Sequence, residues 1–242
     1  MILTTETKSF FADEGFLVVE NLITPSEVAY YSDLYNAFLD NRIDASQYRS
    51  DLSGGDGKME KITQIMVPSK MWPELLQRPI HLKTLQMAKE LMGVDIELDF
   101  DMLINKAPLT NTPTPWHQDA AYWIDMPDKR AASCWVAIDH AYKENGCMWY
   151  TPKSHLFPVR SHVQTGNKGA LQCEGSEANS VCIELQPGSC VFHQGGTLHY
   201  SRGNTTKHNR RALITNFRPS AMIELERSNG VDHTGERKIK TK

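Results

Sequence analysis

The sequence Trp116-His117-Gln118-Asp119 stands where the chain changes from mixed helix and strand patterns to short apolar segments separated by turn residues. Strand-like segments at such spacing are typical of an antiparallel β-sandwich or barrel. We therefore expect a mainly β fold, with strands at residues 134–138, 147–150, 181–185, 190–193, 198–201 and 212–217.

His117 and Asp119 are two residues apart, so in an extended strand their side chains point to the same face. A neutral imidazole and a carboxylate placed in this way can hold one metal ion. The spacing His-x-Asp also occurs often by chance on surface strands. The pair therefore indicates a metal site only if a third ligand joins it.

His199 is the candidate third ligand. It lies in the sequence GGTLHYS (residues 195–201), late in the chain, where a sandwich can return a strand next to the one that carries His117. Two histidines and one carboxylate on one face of an octahedral ion leave the other face open, which is typical of non-haem Fe(II) oxygenases. The open positions can take a bidentate organic acid and dioxygen.

Two arginines, Arg210 and Arg211, are candidates for binding the far end of such an acid. A guanidinium pairs with a carboxylate through two hydrogen bonds, and an organic diacid needs a fixed cation of this kind. The arginines follow His199 by eleven and twelve residues. Both faces of the apolar run from Ala212 to Phe217 are mixed, so strand alternation does not choose between them.

The composition narrows the class of protein. A length of 242 residues fits one domain, here residues 1–242, and a net charge of −3 gives no reason to expect nucleic acid as a partner. The sequence contains neither a secretory signal pattern nor an apolar run long enough to cross a membrane, so we expect a cytoplasmic location without a membrane partner. The five cysteines form no Cys-x-x-Cys pair, and we expect reduced thiols.

The N-terminal part of the chain predicts a mixture of helices and strands. Thr5 to Glu14 is predicted as a helix, and Gly15 releases the chain into a strand from Phe16 to Val19. Thr24-Pro25-Ser26-Glu27 predicts a helix start with a capping box. Further predicted elements are helices at residues 28–38 and 73–92, and strands at residues 62–67 and 96–104.

Two polar segments, residues 41–58 and 161–180, are rich in glycine and bracket the strand-rich half of the chain. Long polar loops beside a rigid scaffold often carry function, so both are interpreted as lid loops. The polar end of the chain, residues 220–242, is predicted to be a partly disordered tail.

Further sequence pieces accompany the candidate ligands in a fixed order. They are residues 102–106 (MLINK), 134–138 (CWVAI), 145–147 (NGC), 150–155 (YTPKSH) and 199–201 (HYS) with Gly203-Asn204. Together with His117, Asp119, His199 and Arg210, this pattern resembles the phytanoyl-CoA dioxygenase family of Fe(II)/2-oxoglutarate-dependent oxygenases. The likeness runs from about Phe10 to Phe217, and Lys153 departs from it because the family usually has glycine there.

The resemblance implies a double-stranded β-helix, the jelly roll of cupin-like proteins, with flanking α-helices. It implies Fe(II), the cosubstrate 2-oxoglutarate and O2 as cofactors. The implied reaction is hydroxylation of a small organic substrate with formation of succinate and CO2. Halogenating relatives replace the metal-binding carboxylate with a small residue, whereas Asp119 is present here.

Carried over position by position, the resemblance makes His117, Asp119 and His199 the iron ligands and favours Arg210 over Arg211 as the cosubstrate clamp. The same comparison places Ser201, Trp135 and Met102, and more loosely Lys61, against the cosubstrate. Three aromatic residues beside the metal motif are candidates for the wall of a substrate pocket, although packing roles are also open to them: Trp116, Tyr122 and Trp123.

Two other functions fit part of the pattern. A non-catalytic jelly-roll protein that binds a metal or small molecule would have the same fold. A zinc hydrolase would use the same three ligands. Arg210 argues against both, because neither function needs a clamp for a diacid. The substrate and the oligomeric state do not follow from the sequence.

Overall fold

The computed structural model describes residues 3–54, 59–165 and 170–233. Its helices are α1 (Thr5–Glu14), α2 (Pro25–Leu39), α3 (Pro68–Met71), α4 (Pro79–Met92) and α5 (Ser220–Ser228). Its strands are β1 (Phe16–Val19), β2 (Arg49–Asp51), β3 (Ile62–Met66), β4 (Ile96–Lys106), β5 (Thr114–His117), β6 (Ala132–Ala137), β7 (Met148–Tyr150), β8 (Val163–Gln164), β9 (Leu171–Gln172), β10 (Val181–Ile183), β11 (Cys190–Gln194), β12 (His199–Ser201) and β13 (Arg210–Pro219).

The strands form two main antiparallel sheets. The large sheet has the order β1-β11-β6-β13-β4-β3-β2, the small sheet has the order β10-β7-β12-β5, and β8 pairs with β9. From β1 to β4, neighbouring strands of the large sheet are far apart in sequence, which is the pattern of a chain that passes back and forth between two sheets, whereas β4, β3 and β2 are consecutive strands at one edge. This arrangement confirms the predicted jelly roll.

Alternating side chains give the large sheet two different faces. In β13, Leu213 points to one face and packs in a cluster with Phe11, Phe38 and Met87 of the helices. Ala212 points to the other face and packs in a cluster with Tyr150 of the small sheet and other residues of both sheets. The helices therefore cover one face of the large sheet, and the small sheet covers the other.

The predicted ends of the first two helices are confirmed. Gly15 ends α1 with φ +84°, a left-handed conformation that glycine adopts without steric cost. The Thr24 hydroxyl accepts a hydrogen bond from the Glu27 amide, and the Glu27 carboxylate accepts one from the Thr24 amide, so the capping box of α2 is complete.

One helix prediction was wrong in its extent. The segment predicted as one helix from Pro73 to Met92 is a 3₁₀ turn (Pro73–Gln77) followed by α4. Arg78 lies between them with φ −95° and ψ 158°. The break follows from Pro79, because the proline ring excludes the helical conformation at the preceding residue.

The polar segments contain more regular structure than the sequence indicated. Arg49–Asp51 in the first segment pairs with β3 as the edge strand β2, and the second segment contains the β8–β9 pair. At the end of the chain, residues 220–228 form α5, which the sequence did not predict. The glycine-rich centres at residues 55–58 and 166–169, and residues 234–242 of the predicted tail, lie outside the described residues.

Lys153, which stands where the family usually has glycine, keeps the left-handed backbone conformation that glycine favours. Lys153 has φ +63° and ψ 2°, a left-handed conformation in which a side chain costs about 1 kcal/mol relative to glycine. The turn therefore keeps the shape that glycine favours while carrying a lysine.

No helix among the described residues is long and apolar enough to span a bilayer.

Candidate metal centre

The pairing of β5 with β12 brings two histidines together on the inner face of the small sheet. His199 lies opposite His117 in the register, and the two ring centroids are 4.2 Å apart. Asp119 begins the 3₁₀ turn after β5, and its Oδ1 atom is 3.7 Å from Nε2 of each histidine. One ligand atom from each of the three residues lies within 4.8 Å of the others, so together they can hold a metal ion.

Hydrogen bonds to backbone carbonyls fix the orientation and the tautomer of both imidazole rings. Nδ1 of His117 lies 2.8 Å from the Pro115 carbonyl oxygen, and Nδ1 of His199 lies 2.8 Å from the Thr197 carbonyl oxygen. A carbonyl only accepts, so each Nδ1 carries the proton and each Nε2 lone pair is on the side of Asp119. This second hydrogen bond is what orients histidines that bind metals.

The Asp119 carboxylate is held through its other oxygen. The Ser133 hydroxyl donates to Oδ2 at 2.6 Å, and Nε2 of His193 donates to the same oxygen at 3.1 Å. Burial alone would raise the pKa of Asp119, but the His193 hydrogen bond and the nearby imidazoles of His199 and His117 hold it far below its usual range. Asp119 is therefore ionised, with Oδ1 facing the histidines.

His199 is in the matching protonation state. Burial, reinforced by the neighbouring His117 and His193, lowers the pKa of His199 well below its usual value. A neutral imidazole is the form that binds a metal. The cluster thus combines an ionised carboxylate with the neutral imidazole of His199 at neutral pH.

Arg210 and Arg211, between which strand alternation did not choose, occupy opposite faces of β13. Arg211 forms an ion pair with Asp139 at 2.7 Å and donates to the Asn36 side chain at 2.8 Å. Arg210 is 1% exposed, and in the described structure its Nε and Nη1 atoms have no hydrogen-bond partner. Its guanidinium lies 5.1 Å from the centre of the Trp135 ring. Arg211 is thus engaged in packing the helix face, whereas Arg210 has donors left to bind an anion.

Lys106 is a second buried cation that sequence reasoning did not assign. It lies opposite Arg210 in the register of β4 and β13, is fully buried, and donates to the Thr112 carbonyl at 2.9 Å. Burial, together with the charge of Arg210, lowers the pKa of Lys106 well below its usual range. Buried charges normally have a partner of opposite sign, so an anion bound here would favour the charged form of Lys106 and would pair with Arg210. The sequence piece MLINK contained this lysine but gave no sign of its neighbour.

The other predicted cosubstrate contacts share this face of the sheets. Met102 lies four residues before Lys106 on β4, Trp135 lies beside Arg210, and Ser201 lies two residues after His199 on β12. Lys61, which the sequence comparison placed only loosely, is exposed just before β3.

The three candidate substrate contacts are in different places. Trp116 points to the outer face of the small sheet, where it stacks on Tyr200 at 4.2 Å. Tyr122 lies edge-on to His117 at 6.1 Å, and its hydroxyl accepts a hydrogen bond from the Leu171 amide. Trp123 packs against the Arg218 guanidinium at 5.1 Å. The structure thus brings Tyr122 to the metal centre, whereas the position of Trp116 favours a packing role.

A second group of potential ligands, Asp99, Glu226 and His233, lies at the end of the large sheet. The Arg218 guanidinium forms ion pairs with Asp99 and Glu226, and its Nη2 lies 3.2 Å from Nε2 of His233. A protein cation thus occupies the position that a metal would need. We interpret this group as a structural ion-pair network.

The comparison with known proteins places this geometry in a family. Residues 11–212 match the family model of phytanoyl-CoA dioxygenase, PhyH. The chain belongs to the phytanoyl-CoA dioxygenase family. It is an enzyme of the Fe(II)- and 2-oxoglutarate-dependent oxygenase class, with Fe(II), 2-oxoglutarate and O2 as cofactors. This family assignment confirms the resemblance seen in the sequence.

Individual relatives agree with the assignment. The chain is 24% identical to the peroxisomal phytanoyl-CoA dioxygenase of Mus musculus, over 89% of this chain and 68% of the relative. It is 28% identical to EvdO2 from Micromonospora carbonacea var. aurantiaca, whose crystal structure is a complex with 2-oxoglutarate. That match has a TM-score of 0.77 and covers 90% of this chain and 91% of EvdO2.

The residues present fit the cofactors of the class. The donor set of two imidazole nitrogens and one carboxylate oxygen suits Fe(II) and leaves coordination positions open. The unpartnered nitrogens of Arg210 suit a carboxylate. The predicted metal ligands and clamp therefore have the chemistry that the class needs.

Proposed function

We propose that this enzyme hydroxylates a small organic substrate, with conversion of 2-oxoglutarate to succinate and CO2, at a centre formed by His117, Asp119 and His199. The observation that carries the proposal is the combination of this cluster with Arg210, a buried arginine with two nitrogens that have no hydrogen-bond partner among the described residues. A metal cluster alone would suit a binding protein or a hydrolase. The buried cation adds a requirement for an anionic second ligand.

In this proposal, His117 and His199 bind Fe(II) through Nε2, and Asp119 binds it through Oδ1. The Pro115 and Thr197 carbonyls hold the imidazole rings, while Ser133 and His193 hold Oδ2. Iron bound there would supply the redox chemistry by which dioxygen oxidises the cosubstrate and the substrate. The protein contributes fixed ligands that need no rearrangement when the metal enters.

Arg210 and Lys106 would bind the far carboxylate of 2-oxoglutarate. Arg210 has two free donors, and Lys106 lies on the neighbouring strand at the same level. Both side chains are buried, so their attraction for an anion is only weakly screened by water. Binding of the dianion would neutralise charge that is otherwise unfavourable in the core. Trp135, Ser201 and Met102 would contact the same molecule.

Hydroxylation is the outcome that the ligand set supports. Asp119 fills the carboxylate position of the cluster with an ionised side chain, so the position at which halogenating relatives bind a halide is occupied. Tyr122 stands beside His117 at the metal centre, and we assign it to the substrate side. Trp123 lies one residue further along and would extend that side.

The test is substrate-dependent succinate formation. Purified protein is supplied with Fe(II), 2-oxoglutarate and O2, and small acids, acyl thioesters, amino-acid derivatives and natural-product scaffolds are screened for stimulated succinate release. We expect a stimulating compound to gain one oxygen atom by mass spectrometry. Asp119→Ala should lose the stimulation, whereas Arg211→Lys, which alters the neighbouring arginine on the helix face, should keep it.

Two results would contradict the proposal in different ways. Succinate release that persists undiminished in Asp119→Ala would show that the metal ligands are wrongly assigned. A product that forms with succinate but without an added oxygen atom would keep the site and exclude hydroxylation.

A further inference from the structure

Two cysteines, Cys147 and Cys182, are in contact at the edge of the small sheet. Their Sγ atoms are 3.2 Å apart. Cys147 directly precedes β7, and Cys182 lies in the edge strand β10, opposite Trp149. Cys147 is two residues before Trp149, so the two cysteines lie diagonally across the ladder on the same side.

The geometry points to a site of disulfide formation: we propose that Cys147 and Cys182 are a dithiol that a two-electron oxidant closes to an intramolecular disulfide. A disulfide requires an S–S distance of about 2.05 Å, so the sulfur atoms need to approach by about 1.2 Å. Side-chain rotation with a small shift of an edge strand is sufficient for such a movement. The proposal is independent of the function proposed above.

The two thiols differ in access, which sets the order of events. Cys147 is buried and Cys182 is partly exposed. Burial and the charge of Glu184 raise the pKa of Cys182, while the hydrogen bond from Cys147 and the charges of Lys143 and Arg202 offset part of that rise. Cys182 is therefore the thiol that meets the oxidant first, and Cys147 is the one that resolves.

With hydrogen peroxide as oxidant, the two steps balance. The Cys182 sulfur takes one oxygen of the peroxide to become a sulfenic acid, and the first water leaves. The Cys147 sulfur then displaces the hydroxyl group of the sulfenic acid, which leaves as the second water, and the S–S bond forms. The two thiols lose two electrons and two protons in total, and the peroxide is reduced.

The bridge would close a loop from Cys147 to Cys182 and tie the edge strand β10 to β7. A cross-link between residues 35 positions apart reduces the entropy of the unfolded chain, and the two sulfur atoms already lie 3.2 Å apart in the folded protein. The oxidised protein should therefore melt at a higher temperature than the reduced protein.

The remaining cysteines supply internal controls. Cys134 and Cys190 also contact each other, but both are fully buried in the core between the large sheet and the helices. An oxidant that reaches the folded protein does not reach this pair. Cys173 is a free, partly exposed cysteine.

The experiment treats the reduced native protein with hydrogen peroxide or diamide, blocks remaining thiols under denaturing conditions, and maps the peptides by mass spectrometry. We expect a peptide that links Cys147 to Cys182, a loss of two titratable thiols reversed by dithiothreitol, and a higher Tm. Cys182→Ser should lose all three effects, and Cys173→Ser should keep them.

The peptide map of the oxidised wild-type protein is sufficient to test the proposed disulfide, without any variant. If Cys147 and Cys182 both remain open to alkylation while Cys173 is modified, the proposal is wrong. It is also wrong if a Cys134–Cys190 link appears as readily as the Cys147–Cys182 link, because the reaction would then reflect unfolding and not the contact at the sheet edge.

Discussion

Among the single residues, Asp119 has a carboxylate whose orientation is fixed before a metal binds. One oxygen faces the two histidines, and the other is fixed by Ser133 and His193. The Tyr150 hydroxyl lies 3.4 Å from Nδ1 of His193 and supports the tautomer that donates to Asp119. A carboxylate held in this way offers one oxygen to a metal in one orientation.

This arrangement makes a prediction about residues that do not bind the metal themselves. Replacing His193 with Asn or Ser133 with Ala should weaken Co(II) or Fe(II) binding about 10–100-fold, because Asp119 loses a partner that orients it. Isothermal titration under anaerobic conditions measures the affinity. His140→Asn, which changes an exposed histidine, is the control and should bind as the wild type does. Unchanged affinity in both variants would contradict the positioning role.

The pair of buried cations makes a second prediction at this scale. Arg210→Lys removes the two-pronged donor and should weaken 2-oxoglutarate binding about 100-fold, the effect of truncating one partner of a buried charge pair. Arg211→Lys is the matched control on the other face of the same strand. Equal affinities for the two variants would contradict the assignment of the clamp.

Lys106 should affect stability and binding in opposite directions. Without an anion, the burial of Lys106 beside Arg210 is unfavourable. Lys106→Met should therefore raise the Tm of the ligand-free protein, by about 2–4 °C for each kcal/mol added to the free energy of unfolding. The same change should weaken 2-oxoglutarate binding. Thermal melts with and without 2-oxoglutarate test both parts, and a variant that melts lower than the wild type without ligand would contradict the account.

Sequence reasoning identified the residues that belong to a spaced motif and missed those that do not. His117, Asp119, His199 and Arg210 were predicted from spacing and resemblance. Ser133, His193 and Lys106 reach the site only through strand register, because each lies opposite a residue that is distant in sequence. A single sequence does not encode that register in any local pattern.

Among the secondary-structure elements, the local sequence predicted the ends of α1 and α2 but not the helix α5, which depends on tertiary packing. Thr24 and Gly15 act within one turn of their own position, so local sequence suffices. Helix α5 instead depends on Arg218, which is buried with Asp99 and Glu226 in a network completed by Arg227 and His233. Its partners come from β4, β13 and the end of the chain.

The network predicts a pH-dependent stability. Burial would raise the pKa of Glu226, but His233 and Arg218 lower it to about 2 from an ordinary value of 4.5. A carboxyl with a lowered pKa stabilises the fold above its ordinary pKa, and this contribution is lost as the pH falls towards the lowered value. The free energy of unfolding should therefore fall between about pH 4.5 and pH 2, as Glu226 becomes protonated.

Glu226→Gln measures this contribution directly. The change removes one of the two carboxylates paired with the buried Arg218 and leaves Asp99 as the other, so it should cost at most about 3–5 kcal/mol at pH 7. Urea unfolding at pH 7 and at lower pH gives the difference from the wild type, which should narrow as the wild-type carboxyl is protonated. A difference that stays constant or widens on acidification would exclude Glu226 as the responsible charge.

At the scale of the whole molecule, the site lies where the two sheets of the jelly roll face each other. The small sheet supplies His117 and His199, and the large sheet supplies Arg210, Lys106 and Trp135. The fold class followed from the sequence because strand-like segments with turns between them are a repeated signal. The edge strand β2 escaped detection because Arg49-Ser50-Asp51 is entirely polar.

We propose that this chain binds Fe(II) through the three ligands and 2-oxoglutarate through the metal and Arg210 together. Anaerobic titration of the Fe(II)-loaded protein with 2-oxoglutarate tests it most directly, because chelation of Fe(II) by a 2-oxo acid produces a visible charge-transfer band. We expect the band in the wild type, its loss in Asp119→Ala, and a shift to much higher 2-oxoglutarate concentration in Arg210→Lys. A wild type without the band, or variants that develop it at the same concentration and intensity, would contradict the account.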